Sequence, residues 1–218
     1  TSQFVDNYVI EEKISNLENV VRYSLIGDET LIKNSKSKIT RLNLTDFKDE
    51  ITKTPNFIKE ILKYDDIPLF FGAPIVSFNK YPQSKYNKIC SYLLDNINDE
   101  SYTCIYLKHR REISENLPSS FIKLDSGGLD FAFLKLDNDI SKKILLNREI
   151  ISFASTSLCI LARAGLLNIV KGIKLIEISD LDYNDQNRHN DLVDFVENVL
   201  IEENVSVSVH KTRNFKFF

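Results

Sequence analysis

Gly172-Ile-Lys-Leu-Ile-Glu-Ile178, then His189 to Glu202, then Val205-Ser-Val-Ser-Val209 make up the most regular stretch of the chain. The first run is apolar and β-branched with a glycine before it, so it reads as a strand over Ile173–Ile178. The second places Leu192, Phe195, Val196, Val199 and Leu200 at helical spacing on one face. The third alternates valine with serine and reads as a last strand, with an extension toward Phe217. Strand, helix, strand in this order is the unit from which layered α/β domains are built.

Working back from there, the same alternation recurs. Gly165 is placed to stop a long helix predicted over residues 140–164. The run from Ile150 to Ala162 carries no charge, but it is too short to span a bilayer and four hydroxyl residues interrupt it; it reads as part of that buried helix. Strands are expected at Tyr102–Leu107 and Leu129–Leu136, with no obvious helix between them, which points to a mixed sheet. Ser84 is the expected cap of a helix over 85–97 with Tyr86, Ile89, Cys90, Leu93 and Leu94 inward. Ile67 to Phe78 is apolar but broken by Gly72-Ala-Pro74, and reads as strand, kink, strand.

Residues 1–65 are more charged and less periodic. Phe4, Tyr8, Ile14, Leu17 and Val21 share one face of an expected first helix, a strand is expected within Lys38–Leu44, and helices near 46–53 and 55–63. The expected architecture is α/β or α+β: a mixed sheet flanked by helices over residues 66–218, with residues 1–65 an irregular, partly helical section packed on it.

Composition narrows the function classes. The 218 residues are 43% hydrophobic and 27% charged with net charge -3, which suits a soluble domain and argues against a generic nucleic-acid coat. Six glycines leave few places for a loop whose backbone closely cradles phosphate. Cys90, Cys104 and Cys159 form no CxxC pair, so zinc spacing is absent and a reducing, intracellular setting (cytoplasm or nucleus) is expected.

Four motifs carry chemistry. Asp125-Ser-Gly-Gly-Leu-Asp130 is similar to the Ser-Gly-Gly-x-Asp-Ser loop of PP-loop adenylating enzymes, but Phe131 stands where the second serine belongs. The string also resembles the Asp-Ser-Gly-Gly of trypsin-like proteases, whose nucleophile needs a histidine held by an aspartate. The favoured reading is a turn in which Gly127 and Gly128 supply positive φ. Asp180, Asp182 and Asn184 are spaced like the opening of an EF-hand calcium loop, but Asp185 occupies the position of the sharp-turn glycine and Asp191 that of the bidentate glutamate. At a strand's carboxyl end, Asp180 and Asp182 are metal-ligand candidates.

Lys108, His109, Arg110 and Arg111 end a strand and are candidates for binding phosphate or an acidic partner. His210-Lys-Thr212 resembles one motif of the two-histidine phosphoesterases, but the second histidine motif that chemistry needs is not found. The basic, aromatic tail adds Lys211, Arg213, Phe215, Phe217 and Phe218 as partner- or phosphate-binding candidates.

These features favour a non-catalytic interaction or assembly subunit of an intracellular protein complex, with other protein subunits as partners, no membrane and no cofactor. The alternatives are a nucleotide- or phosphate-ester-acting enzyme using Ser126–Gly128, Asp180, Asp182 and Lys108 or Arg110, and a nucleic-acid-binding module using Lys108–Arg111 and the tail.

Overall fold

The computed structural model describes residues 21–24, 38–41, 56–64, 67–78, 81–97, 103–109, 112, 117–119, 121–125, 133 and 138–215. The chain divides into two compact units, Thr1–Asp49 and Glu50–Phe218. In the smaller, strand β1 (Val21–Ser24) pairs in parallel with β2 (Lys38–Arg41), Val21 opposite Lys38. The first helix expected from sequence lies outside the described residues apart from Val21, which opens β1, and the helix expected near 46–53 also lies outside them.

The larger unit begins with α1 (Asn56–Ile61) and then β3 (Leu69–Phe71). Gly72-Ala73-Pro74 leads into α2 (Ile75–Phe78) and α3 (Gln83–Ile97). Then come β4 (Cys104–Lys108), β5 (Phe121–Asp125), α4 (Asn138–Leu145), β6 (Glu149–Ser152), α5 (Thr156–Arg163), β7 (Gly172–Glu177), α6 (Tyr183–Glu202), β8 (Val207–Lys211) and a 3-10 turn at Thr212–Asn214. The sheet order is β5-β4-β3-β6-β7-β8. Counted from its own first strand this is 3-2-1-4-5-6, the doubly wound order in which connections diverge between the two central strands, here β3 and β6.

The α/β arrangement of a sheet flanked by helices is the observed one, and all five pairings in this sheet are parallel rather than mixed. β4 and β5 run side by side, Cys104 opposite Phe121, because residues 109–120 are long enough for a crossover even without a described helix. The expected strand at Leu129–Leu136 and the Gly127-Gly128 turn lie outside the described residues, apart from Phe133, which is helical and buried.

A central parallel strand is covered on both faces and therefore reads as continuous apolar sequence. On one face Phe70, Tyr106, Ile151 and Ile176 pack with Tyr86, Ile89, Cys90, Leu93 and Leu94 of α3 in one cluster. Their neighbours Leu69, Ile105, Leu107, Ile150 and Leu175 point the other way by the pleat and are equally buried. Gly72 allows a close approach of backbone to the polar groups buried in this core. A Cβ there would sit 2.5 Å from Glu112 Oε2 and 2.6 Å from Tyr106 Oη. Below it the buried Tyr106 hydroxyl donates to Glu112 and shares a 2.7 Å hydrogen bond with Tyr86 Oη.

Four elements differ from expectation. The helix predicted over 140–164 is instead α4, β6 and α5: Asn147, in the left-handed region at φ 57°, ends the first helical segment, and the apolar run Glu149–Ser152 becomes a central strand. A short apolar run carries no period that separates buried helix from buried strand. The second half of Ile67–Phe78 is helix α2, started by the fixed φ of Pro74. Helix α3 starts at Gln83, the Pro82 carbonyl accepting from Tyr86 N–H, so Ser84 lies inside the first turn. Helix α6 begins at Tyr183, so half of the acidic loop around Asp180–Asp185 is a helical turn. By contrast Gly165 ends α5 as expected: at φ 70° it donates to Ala162 O while Leu166 N–H donates to Leu161 O.

Candidate functional site

Ligands of doubly wound sheets sit outside the carboxyl ends of the strands. Three separate segments meet there. The chain leaving β3 reaches Tyr81 and the first turns of α3; the chain leaving β7 gives Ile178, Ser179 and Asp180; the chain leaving β8 gives Thr212, Arg213 and Phe215. Tyr81, Ser179, Asp180, Thr212, Arg213 and Phe215, together with Lys85, Lys88 and Ile89 of α3, line a pocket of about 350 Å³.

Asp180 ties the segments together. Its Oδ1 accepts from Tyr81 Oη at 2.6 Å and its Oδ2 from Lys85 Nζ at 2.6 Å. Partial burial works to raise the pKa of this carboxyl, but hydrogen bonds from Lys85 and Tyr81 and the lysine's charge outweigh it and hold the group below its usual range. Burial, and then the bond to this carboxylate, push the Tyr81 hydroxyl well up, so it remains a donor. The neighbouring loops are pinned by backbone bonds: Ser179 N–H donates to Thr212 Oγ1 at 3.0 Å and Arg213 N–H to Ser179 Oγ at 3.4 Å. Phe215 closes one side by stacking on Tyr92, centroids 4.4 Å apart and planes at 16°.

Helix α6 secures the β7 end from behind. Gln186 donates to Ile178 O and accepts from Leu181 N–H, and His189 Nε2 accepts the Ile178 N–H at 2.9 Å. That role requires a neutral ring. Burial lowers its pKa to about 4, against the opposing pull of Glu177.

The electrostatics of the pocket are uneven. Three cations, Lys85, Lys88 and Arg213, face one carboxylate, and Lys85 is paired with it. Among the described residues neither Lys88 nor Arg213 forms an ion pair. Lys85 sits in the first turn of α3, where the helix dipole carries its positive end, and Lys88 follows in the next turn. A cation in the first turn opposes the dipole, and that opposition is the signal in the sequence that could single out Lys85; Tyr81, Lys85 and Lys88 are not among the candidates read from sequence.

The sequence candidates are divided among several places. Arg213 and Phe215 line the pocket, as does Asp180. Asp182 is the N-cap residue of α6, and its side chain makes no capping bond. Lys211 pairs with the buried Glu177 at 2.9 Å. Lys108 ends β4, and His109 follows it, its N–H donating to Glu112 Oε2 at 3.2 Å. Arg110, Arg111, Phe217, Phe218 and the Ser126–Gly128 loop lie outside the described residues. Among the described residues no group of three or more histidine, cysteine or acidic side chains is gathered as for a metal ion, and no helix is long and apolar enough to cross a membrane.

The fold and pocket define a doubly wound parallel α/β domain with a cationic cleft at its strand ends. No family model matches this chain, and no curated protein matches it.

Proposed function

We propose that the domain binds a small phosphate-bearing molecule in the pocket beyond the carboxyl ends of β7 and β8. One observation carries this reading: side chains distant in sequence converge so that Lys88 and Arg213, without ion-pair partners among the described residues, flank a cleft over the start of α3. An arginine fork and an ammonium group together suit a phosphate, the first by paired N–H bonds and the second as a point charge. The volume lies at the small end of the range of ligand sites, which suits a metabolite rather than a polymer.

This reading takes up the phosphate-ligand part of the enzyme alternative and assigns no catalytic group. The assembly-subunit reading rests on scarce glycine, three histidines, the lack of an intact catalytic set, many aromatics and the basic, aromatic tail. Of that tail Phe215 is engaged with Tyr92, and Phe217 and Phe218 lie outside the described residues.

Titration calorimetry with methyl phosphate tests the proposal. Lys88→Gln and Arg213→Gln are each expected to weaken binding about tenfold, the value of one lost charge-assisted hydrogen bond. An unchanged affinity in the double variant overturns the assignment.

A further inference from the structure

A pocket meant for phosphate alone would have no use for a carboxylate, since the two anions repel. Yet Asp180 is held in the lining, and held ionised, by two donors from the opposite segment. Each carboxylate oxygen has two acceptor sites, and one on each is taken by Tyr81 and Lys85. Its own backbone N–H also contributes a bond, and the side chain is 45% exposed, so part of its acceptor capacity faces the pocket. Beside it, Ser179 Oγ and Thr212 Oγ1 each accept a backbone N–H and keep their own hydroxyl proton to donate. The pocket thus has two chemically distinct parts: a cationic one at Lys88 and Arg213, and an acceptor-rich, hydroxyl-bearing one at Asp180, Ser179 and Thr212. Phe215 supplies apolar surface in the same lining.

We infer that the ligand is a sugar phosphate, its phosphate held by Lys88 and Arg213 and its hydroxyls donating to Asp180 with Ser179 and Thr212 alongside. The inference rests on the phosphate reading above and adds the second half of the ligand. Vicinal hydroxyls are neutral donors that satisfy a carboxylate without competing for the lysine already bound to it. The C–H face of a sugar ring also suits the apolar surface of Phe215.

Titration calorimetry on the full chain separates the two levels of the proposal. Ribose 5-phosphate is expected to bind at least tenfold more tightly than methyl phosphate, from one or two additional hydrogen bonds. Asp180→Asn should bring the two close to parity while leaving inorganic phosphate as tight as before or tighter, because a repelling charge is gone. Ser179→Ala leaves the Asp180 pairings in place but removes the acceptor of the Arg213 backbone N–H, so it is read as a ratio: the sugar phosphate's advantage over methyl phosphate in the same variant should fall a few-fold. Equal affinities for ribose 5-phosphate and methyl phosphate in the unmodified chain overturn the sugar inference and leave the phosphate site standing. Tighter binding of phosphoethanolamine than of ribose 5-phosphate also overturns it, the carboxylate then reading an amine. No binding by any of the phosphates overturns both.

Discussion

The two ends of the parallel sheet use their cations differently. At the amino end, just before β6, Arg148 is 3% exposed and its guanidinium donates to the carbonyls of Ile67 (2.8 Å), Ile61 (3.4 Å) and Tyr64. Those carbonyls lie at the end of α1 and on the approach to β3, so one side chain fastens a helix terminus to the centre of the sheet. At the carboxyl end Lys88 and Arg213 are exposed and make no ion pair among the described residues. A buried cation must have its donors satisfied by the protein, whereas an exposed one can wait in water for a ligand. Arg148 therefore serves folding, whereas Lys88 and Arg213 leave capacity for binding, unlike their neighbours Lys85 and Lys211, which are paired with Asp180 and Glu177.

The contrast can be broken by mutation. Arg148→Ala is expected to cost roughly 3–4 kcal/mol, since it removes several charge-assisted bonds and leaves carbonyls unpaired. The urea midpoint should fall accordingly, while the remaining folded protein keeps its phosphate affinity; a loss below about 1 kcal/mol would show that the clamp is incidental. By comparison, Lys88→Gln and Arg213→Gln should shift affinity and leave the melting temperature in place.

His189 gives the next largest effect, and it links the β7 end to pH. The native ring resists protonation until about pH 4, whereas the unfolded chain takes up the proton near pH 6.5. Its contribution is therefore complete above pH 6.5 and declines as pH falls through the window down to 4. About 3 kcal/mol should be lost there, because the folded and unfolded chains bind the proton with such different strength. Denaturant titrations from pH 7 to pH 4 measure it, and the slope should flatten in His189→Gln. A slope equal to that of the unmodified chain would remove His189 as its source.

Gly165→Ala is the mildest change. Space around a new Cβ is open, so the cost is the left-handed backbone alone, about 1 kcal/mol. Because this helix end is on the amino side of β7, phosphate affinity should be unaffected, and thermal denaturation alongside calorimetry checks both halves.

Much of the fold is legible in the sequence, and for identifiable reasons. The inward face of α3 can be read because Tyr86, Ile89, Cys90, Leu93 and Leu94 recur at helical spacing and are all buried. Strand β7 stands out by its β-branched run, and the end of α5 by Gly165. Strand β6 escapes such a reading because Ile150 and Ile151 are buried on opposite faces, so no alternation marks them. Of the pocket, Asp180, Arg213 and Phe215 are visible as an acidic turn and a basic tail. Nothing local announces that they belong together, since the Tyr81–Asp180 bond joins residues 99 apart in sequence.

Taken alone, the sequence determined which segments are helices and strands wherever one face is apolar and the other polar, because burial on one side imposes a period. The tertiary structure alone decided the parallel order β5-β4-β3-β6-β7-β8, and with it the meeting of three loops around Asp180. Strands of similar apolar composition do not specify their neighbours. That choice falls to the crossover connections and to packing on both faces of the finished sheet.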